Sequence, residues 1–224
     1  MALAFFVASA LSLPLIAQDF GPFSSSAKRP DTQATLLSER STITSGEPFT
    51  VGIQLSHPEG WHSYYKNSGI IGESLHTDWE LPEGFTVQYQ GWPTPHLSES
   101  FGYQSIGYEG TVTHLYTITP PPSLVSGESI TLTAKTSWQM CEAHRCVFED
   151  ATLPLSLSIS DKVENDAEGA ERIASARSHL PTPLPSSTQL SLTEEDNLIT
   201  LTLSPAGTLN PNKLHFFDED GQVD

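Results

Sequence analysis

The feature that most constrains this fold is a period-two alternation of apolar and polar residues, repeated in several short segments of the chain. Thr and Ser fill many of the positions between the apolar side chains, which is typical of antiparallel strands with one buried face. Turn sequences such as S-G-E-P (45–48) and L-P-E-G (81–84) separate the segments, so we predict an all-β sandwich. The strongest runs are Phe49, Val51, Ile53 and Leu55; Ile130, Leu132 and Ala134; and Leu153, Leu155, Leu157 and Ile159.

The pattern changes after Ser160, and this change divides the chain into predicted regions. Residues 31–160 form the predicted sandwich, and residues 161–187 combine a charged, Ala-rich helical segment with the linker sequence P-T-P-L-P-S-S. Asp161 is the expected N-cap of the helix. Alternation resumes over residues 188–224, which we interpret as the truncated start of a second β-domain in a longer protein. The expected apolar stripe of the helix is Val163, Ala167, Ala170 and Ala174.

The N-terminal segment has the composition of an export signal. Residues 1–18 carry no charge and are too short to cross a bilayer of about 30 Å comfortably, so we predict a signal peptide, followed by a flexible lead-in over residues 19–30. Export would place the cysteines in a compartment where disulfides persist. The chain has 27 acidic and 10 basic residues, a formal net charge of -17, which argues against nucleic-acid binding.

Cys141 and Cys146 are the two cysteines of the chain, and they stand in the sequence W-Q-M-C-E-A-H-R-C. A disulfide needs Cα atoms about 4.4–6.8 Å apart. Five steps along a strand cover roughly 16 Å, and five steps along a helix turn the second residue about 140° away from the first. A bond between the two sulfurs therefore requires a turn over Glu142 to Arg145, with Trp138 anchoring the strand behind it.

Three kinds of chemistry stay open for this pair on the residues alone. A loop of about six residues gives a disulfide only roughly 2 kcal/mol of chain-entropy stabilisation, which suits reversible redox use without an organic cofactor. The cationic character of His144 and Arg145 would favour a reactive thiolate. One alternative is a Cu(I) or Zn site formed by Met140, Cys141, His144 and Cys146. The other is a passive domain with a structural disulfide.

Five stretches of the chain, in order and spacing, resemble the N-terminal periplasmic domain of the DsbD family of thiol:disulfide interchange proteins, including its ScsB branch. One departure is Phe148, at a position where the family frequently has proline. The stretches are E-G-W-H-S-Y-Y-K-N-S-G (59–69), W-E-L-P-E-G-F (79–85), G-W-P-T-P (91–95), I-G-Y-E-G (106–110) and W-Q-M-C-E-A-H-R-C-V-F-E (138–149).

The resemblance implies an immunoglobulin-like β-sandwich whose cysteine hairpin relays electrons as part of a membrane-bound protein-disulfide reductase. By this resemblance, Cys146 is the attacking sulfur and Cys141 resolves the mixed disulfide. The implied electron donors are the protein's own transmembrane and C-terminal thioredoxin-like domains. The implied acceptors are periplasmic thioredoxin-like or disulfide isomerase proteins. The implied location is the periplasm, tethered to the inner membrane by downstream segments.

The resemblance also implies a loop of aromatic residues that covers the cysteine pair at rest. The corresponding sequence is S-E-S-F-G-Y-Q-S (98–105), which nominates Phe101 and Tyr103 as the cap and Gly102 as a hinge. Tyr108 and Trp138 are expected to be structural. The remaining candidates show no ligand spacing and are predicted to be solvated or hydrogen-bonded histidines: His57, His62, His76, His96 and His114.

Overall fold

The computed structural model describes residues 32–196, residues 198–204 and Phe217. The predicted signal peptide and flexible lead-in lie outside these residues, as does most of the segment after Ser204. Within the described part of the chain, no helix is long and apolar enough to cross a membrane.

Fourteen strands and one helix make up the described chain. The strands before the cysteine pair are β1 (Gln33–Ser38), β2 (Arg40–Ile43), β3 (Phe49–Ser56), β4 (His62–Gly69), β5 (His76–Glu80), β6 (Thr86–Tyr89), β7 (His96–Ser100), β8 (Tyr103–Glu109) and β9 (Thr111–Thr119). The remaining elements are β10 (Ser129–Glu142), β11 (Arg145–Ile159), β12 (Glu164–Asn165), α1 (Ala167–Arg177), β13 (Gln189–Glu195) and β14 (Leu198–Ser204).

Two sheets pack face to face and form the sandwich. The first sheet has the order β1-β3-β9-β6, and the second has the order β12-β2-β11-β10-β4-β8-β7, with β5 also paired to β10. Strands β10 and β11 are the longest and pair antiparallel from Ser129 opposite Ser158 to Glu142 opposite Arg145. This long hairpin carries the cysteine pair to one end of the second sheet.

The predicted alternation is confirmed in the core. Phe49, Val51, Ile53 and Leu55 of β3 are all buried and belong to the main core cluster, together with Leu132 and Ala134 of β10 and Leu157 and Ile159 of β11. Tyr108 and Trp138 also lie in this cluster, at 2 and 3 % exposure. The sequence therefore predicted correctly which side chains of these strands face the main core, because side chains alternate between the two faces of a strand, although β3 is buried on both faces.

Helix α1 begins five residues later than the sequence suggested, so the predicted N-cap at Asp161 is wrong. Glu164 and Asn165 instead pair with β2, and the Oδ1 atom of Asp166 accepts a hydrogen bond from the amide of Gly169 at 2.6 Å. The buried positions of the helix are Gly169, Ile173 and Ala176. Residues that the sequence assigned to the first turn of the helix therefore belong to a strand at the edge of the sandwich.

The helix packs on the outer surface of the first sheet. Ile173 and Ala176 form a second apolar cluster with Leu37 of β1 and Leu115 of β9. Gly169 permits this close approach, since a Cβ atom there would stand 2.0 Å from the carbonyl oxygen of Ser38. Strands β13 and β14 form a separate two-stranded sheet with almost entirely exposed residues. The domain boundaries given above stay predictions.

Candidate functional site

The two cysteines close the tip of the β10–β11 hairpin. Cys141 and Cys146 stand directly opposite each other and are joined by a disulfide, with their Cα atoms 4.1 Å apart. This separation is near the roughly 4.5 Å typical of cross-strand pairs whose side chains approach most closely. Glu142 and Arg145 form the last pair of the ladder, so Ala143 and His144 make a two-residue turn. The predicted turn between the cysteines is therefore present.

Strand alternation separates Met140 from the disulfide. Met140 is fully buried in the core cluster between the two sheets, whereas its neighbour Cys141 lies on the opposite face of the second sheet, which we call the outer face. His144 is exposed in the turn. The four residues proposed as an alternative metal site are therefore not brought together. In the described ranges, no group of three or more His, Cys, Asp or Glu side chains is placed to hold a metal ion.

The two sulfurs differ in their access to solvent. Cys141 is 0 % exposed, whereas Cys146 is partly exposed at the edge of the hairpin. Phe148 follows Cys146 on the same face and is 64 % exposed, so an apolar surface adjoins the accessible cysteine. A molecule approaching from solvent would meet Cys146 first.

A row of side chains crosses four strands of the outer face at the level of the disulfide. Cys146 of β11 stands opposite Cys141, Cys141 stands opposite His62 of β4, and His62 stands opposite Glu109 of β8. Residues directly opposite on neighbouring strands have Cβ atoms about 4.5–5.5 Å apart, and their side chains lie on the same face. The buried cysteine therefore has the other cysteine on one side and an imidazole on the other.

His62 is held in a buried polar cluster. Its side chain is 3 % exposed, and its Nε2 atom lies 3.0 Å from the hydroxyl of Ser100 and 3.4 Å from the hydroxyl of Ser105, both fully buried. Burial lowers the pKa of His62 from its usual 6.5, although the nearby Glu109 carboxylate acts in the opposite direction. The ring is therefore uncharged near neutral pH.

The β7–β8 hairpin lies against the cysteine turn. Phe101 and Gly102 form its two-residue turn, with φ angles of 53° and 78°. Two positive φ angles characterise the type I′ turn, which matches the twist of hairpin strands. The backbone amide of Phe101 donates a hydrogen bond to the carbonyl of Ala143 at 2.8 Å. The tips of the two hairpins are therefore joined directly through their backbones.

The nominated cap residues sit on this turn, and their rings remain half exposed. Phe101 is 48 % exposed and Tyr103 is 52 % exposed. Ser100, which precedes this turn, is fully buried and contacts His62. The role of Phe101 and Tyr103 as a cap stays a prediction.

The Arg145 side chain contacts an aromatic ring and a carboxylate. The Arg145 guanidinium lies 4.9 Å from the ring centroid of Trp61, and its Nε atom is 3.1 Å from the Glu142 carboxylate without an aligned hydrogen bond. Since Arg145 alternates with Cys146, its side chain leaves the strand on the other face. The thiolate-tuning role of Arg145 and His144 stays a prediction.

Sequence reasoning did not identify His62 or Ser100 as part of the site. The predicted hydrogen-bonded state of His62 is correct, but its position beside Cys141 depends on pairing between β4 and β10, which are far apart in sequence. Period-two spacing assigns a face within one strand and does not give the neighbour across the sheet. The one available signal was the W-H-S-Y-Y alternation at 61–65, whose polar member lies on the outer face.

Comparison with known proteins gives a family and a fold. The model of the family "Thiol:disulfide interchange protein DsbD, N-terminal" matches residues 33–157. The N-terminal periplasmic domain of ScsB from Proteus mirabilis superposes with a TM-score of 0.54 at 17 % identity, covering 77 % of this chain and 62 % of that structure. The predicted immunoglobulin-like β-sandwich is thereby confirmed.

Other comparisons add less. The reduced N-terminal domain of DsbD from Neisseria meningitidis matches at 12 % identity with a TM-score of 0.27, covering 59 % of this chain and 88 % of that one. A search of curated protein sequences found no match. The family match spans more than half of the chain and contains both cysteines, all of β10 and β11 as far as Leu157. The chain therefore belongs to the DsbD N-terminal family and contains a thiol:disulfide exchange domain.

Proposed function

We propose that this domain passes two electrons from a reduced Cys141/Cys146 pair to exported partner proteins, as the periplasmic part of a protein-disulfide reductase. The observation that carries the proposal is the unequal exposure of the two cysteines, with Cys146 partly exposed and Cys141 fully buried. A sulfur that attacks another protein must be accessible, whereas a resolving sulfur acts within the domain.

The exchange proceeds in two balanced steps. The Cys146 thiolate attacks one sulfur of the partner disulfide, forming a mixed disulfide and releasing the other partner sulfur as a thiolate. The Cys141 thiolate then attacks the Cys146 sulfur, which restores the Cys141–Cys146 disulfide and releases the second partner thiolate. The partner gains two electrons, and the domain is oxidised by the same number.

The further parts of the proposal rest on the family. The partners are thioredoxin-like or disulfide isomerase proteins of the periplasm. Reduction of the Cys141–Cys146 disulfide comes from transmembrane and thioredoxin-like domains of the same protein. The periplasmic location is supported by the ScsB structure, which is itself a periplasmic domain.

Replacing Cys141 tests the proposal directly. Cys141→Ala removes the resolving sulfur, so mixed disulfides between Cys146 and partner proteins should accumulate and appear on non-reducing gels. Cys146→Ala is the matched control, since the remaining Cys141 is buried and should trap little. Absence of trapped species in Cys141→Ala, or trapping confined to Cys146→Ala, would count against the assignment.

The reduction potential separates this proposal from a passive structural bridge. Structural disulfides of secreted proteins typically lie below about -300 mV, and exchanging ones lie above that value. We expect the Cys141–Cys146 couple to equilibrate with glutathione or dithiothreitol buffers above that limit. A bridge that stays oxidised in these buffers would favour the passive domain.

A further inference from the structure

One buried polar cluster near the disulfide has no part in the exchange steps given above. It consists of His62, Ser100 and Ser105, which are 3, 0 and 0 % exposed. Burying three polar side chains together is costly unless they bond to one another, and here both hydroxyls lie within hydrogen-bond distance of the same imidazole nitrogen. The cluster adjoins Cys141 across one strand pairing.

The resolving step creates a chemical need at that position. Cys141 must lose its proton before it can attack, because the thiolate is the nucleophile in disulfide exchange. Cys141 is fully buried in the disulfide. A thiol buried in the same way cannot hand its proton directly to water, and burial disfavours the charged thiolate. A neighbouring group that accepts the proton would remove this obstacle.

Strand pairing places His62 beside Cys141, where it could receive that proton. It stands directly opposite Cys141 on the adjacent strand, on the same face of the sheet. A neutral imidazole has one donor and one acceptor nitrogen. If Nε2–H donates to the Ser100 hydroxyl at 3.0 Å, the other nitrogen, Nδ1, keeps a free lone pair. Ser100 would then act as a positioning residue that selects this tautomer.

We propose that His62 accepts the proton of the Cys141 thiol in the resolving step and returns it when the disulfide is reduced again. The proton moves from Cys141 Sγ to the imidazole, the thiolate attacks Cys146, and the S–S bond to the partner breaks as the new bond forms. This inference rests on the proposed function, in which Cys141 is the resolving sulfur. It assigns His62 a role that spacing in the sequence does not suggest.

The surroundings keep His62 able to accept a proton near neutral pH. The titratable groups around it are Cys141 on β10, Glu109 on β8, Tyr64 on its own strand with ring centroids 5.2 Å apart, and His57. Strand β7 contributes the uncharged Ser100. Burial lowers the pKa of the imidazole, and Glu109 limits that effect. The ring is thus neutral before the reaction and stabilised by a carboxylate once it is charged.

A single-turnover reaction with Ellman's reagent separates the two steps. Attack by Cys146 of the reduced protein releases the first thionitrobenzoate, and attack by Cys141 on the mixed disulfide releases the second. In His62→Gln we expect an unchanged first phase and a second phase about a hundredfold slower at pH 7. The second phase of the variant should rise about tenfold per pH unit as the thiol ionises. The unmodified protein should show little such dependence above the lowered pKa of His62.

Two further variants make the result decisive. His114→Gln changes an equally buried histidine away from the cysteines, and both phases should keep their rates. Ser100→Ala removes the partner of Nε2 and should slow the second phase with the same steeper pH dependence, which provides the test if His62→Gln does not fold. An unchanged second phase in the folded variants overturns the role of His62. Failure of Cys141→Ala to trap mixed disulfides with partner proteins overturns the proposed function instead.

Discussion

At the scale of single residues, the buried His114 and the partly buried His57 connect the stability of the domain to pH. His114 is 1 % exposed and shares a 2.8 Å hydrogen bond between its Nδ1 atom and the Tyr89 hydroxyl, and burial lowers its pKa to about 3. Burial likewise lowers the pKa of His57 to about 4, although its bond to the Gly110 carbonyl opposes the shift. Both side chains are therefore neutral in the folded protein at any mildly acidic pH.

The free energy of unfolding should fall as the pH falls below 6.5. In the unfolded chain these histidines bind a proton near pH 6.5, whereas in the folded protein they do so only near their lowered pKa values of about 3 and about 4. The stabilisation is therefore fully present above pH 6.5 and is lost progressively as the pH falls toward those values. Between pH 7 and pH 5, His114 should account for up to about 2 kcal/mol of this loss. Denaturant titrations at the two pH values measure it.

His114→Gln should reduce this dependence, since the variant has no imidazole at this position to protonate on unfolding, while His57 keeps its contribution. Tyr89→Phe is the control because it removes the hydrogen-bond partner of His114 and keeps the imidazole. Its stability should drop at both pH values while the difference between them remains. An undiminished pH dependence in His114→Gln would show that other groups carry the effect.

At this scale the sequence predicted the turn between the cysteines and the face of most strand residues. The five-residue spacing of Cys141 and Cys146 requires a turn, and the structure has one. The same alternation already implied that Met140 and Cys141 point to opposite faces, which is the reason the alternative metal set does not assemble. His62 could not be found because its neighbour across the sheet is set by nonlocal pairing.

At the scale of elements, the two hairpins that meet at the site use different turns. Ala143 and His144 keep negative φ angles, whereas the β7–β8 turn places a phenylalanine at a φ of 53°. A left-handed conformation costs an L-residue other than glycine roughly 1–2 kcal/mol. Strain of this kind is found at functional sites and persists only when the surrounding structure enforces it.

Phe101→Asn should stabilise the fold and weaken protection of the disulfide. Asparagine before glycine is favoured in type I′ turns, so the free energy of unfolding should rise by up to about 1 kcal/mol. If the Phe101 ring shields the cysteine pair, dithiothreitol should reduce the disulfide faster in the variant. Slower or unchanged reduction would remove Phe101 from the cap.

Gly102→Ala provides the opposite change in the same turn. Its φ of 78° strains an alanine, and no atom lies within 4 Å of the added Cβ, so backbone strain rather than a clash sets the cost of about 1 kcal/mol. A loss in this variant together with a gain in Phe101→Asn would assign both effects to the conformation of the turn. A change of the same sign in both variants would show that the conformation of the turn is not the cause.

At the scale of the whole molecule, helix α1 packs against the first sheet, which does not carry the cysteines. Ile173 is fully buried against Leu37 and Leu115, and Arg177 pairs with Glu39 at 3.0 Å. The helix follows the residues matched by the family model, which ends at 157. The stability of the domain therefore depends on a segment outside the family match.

Gly169→Ala should destabilise the domain by about 1–3 kcal/mol through overpacking against the Ser38 carbonyl, despite the higher helix propensity of alanine. Glu171→Ala is the control on the exposed side of the same helix and should change stability by less than about 0.5 kcal/mol. Chemical denaturation measures both. The rate of thiol exchange at Cys146 should be the same in both variants, and a large change in Gly169→Ala would contradict the separation of helix and site.

The sandwich itself could be predicted from alternation and turn signals, but its assembly around the helix could not. Asp161 looked like an N-cap on composition, and Asp166 fills that position because Glu164 and Asn165 extend the sheet beside β2. An N-cap preference is worth about 1 kcal/mol, so pairing at a sheet edge can decide between two candidate aspartates. Tertiary contacts therefore set the helix start.

The contact between the two hairpin tips is made by main-chain atoms, from the amide of Phe101 to the carbonyl of Ala143. Substituting side chains at either turn leaves both main-chain atoms in place, so alanine scanning would not detect this hydrogen bond. Isotope exchange would register it, because that amide proton can leave for solvent only while the tips are apart. The exchange rate of one nuclear magnetic resonance signal thus reports how often the two hairpin tips separate.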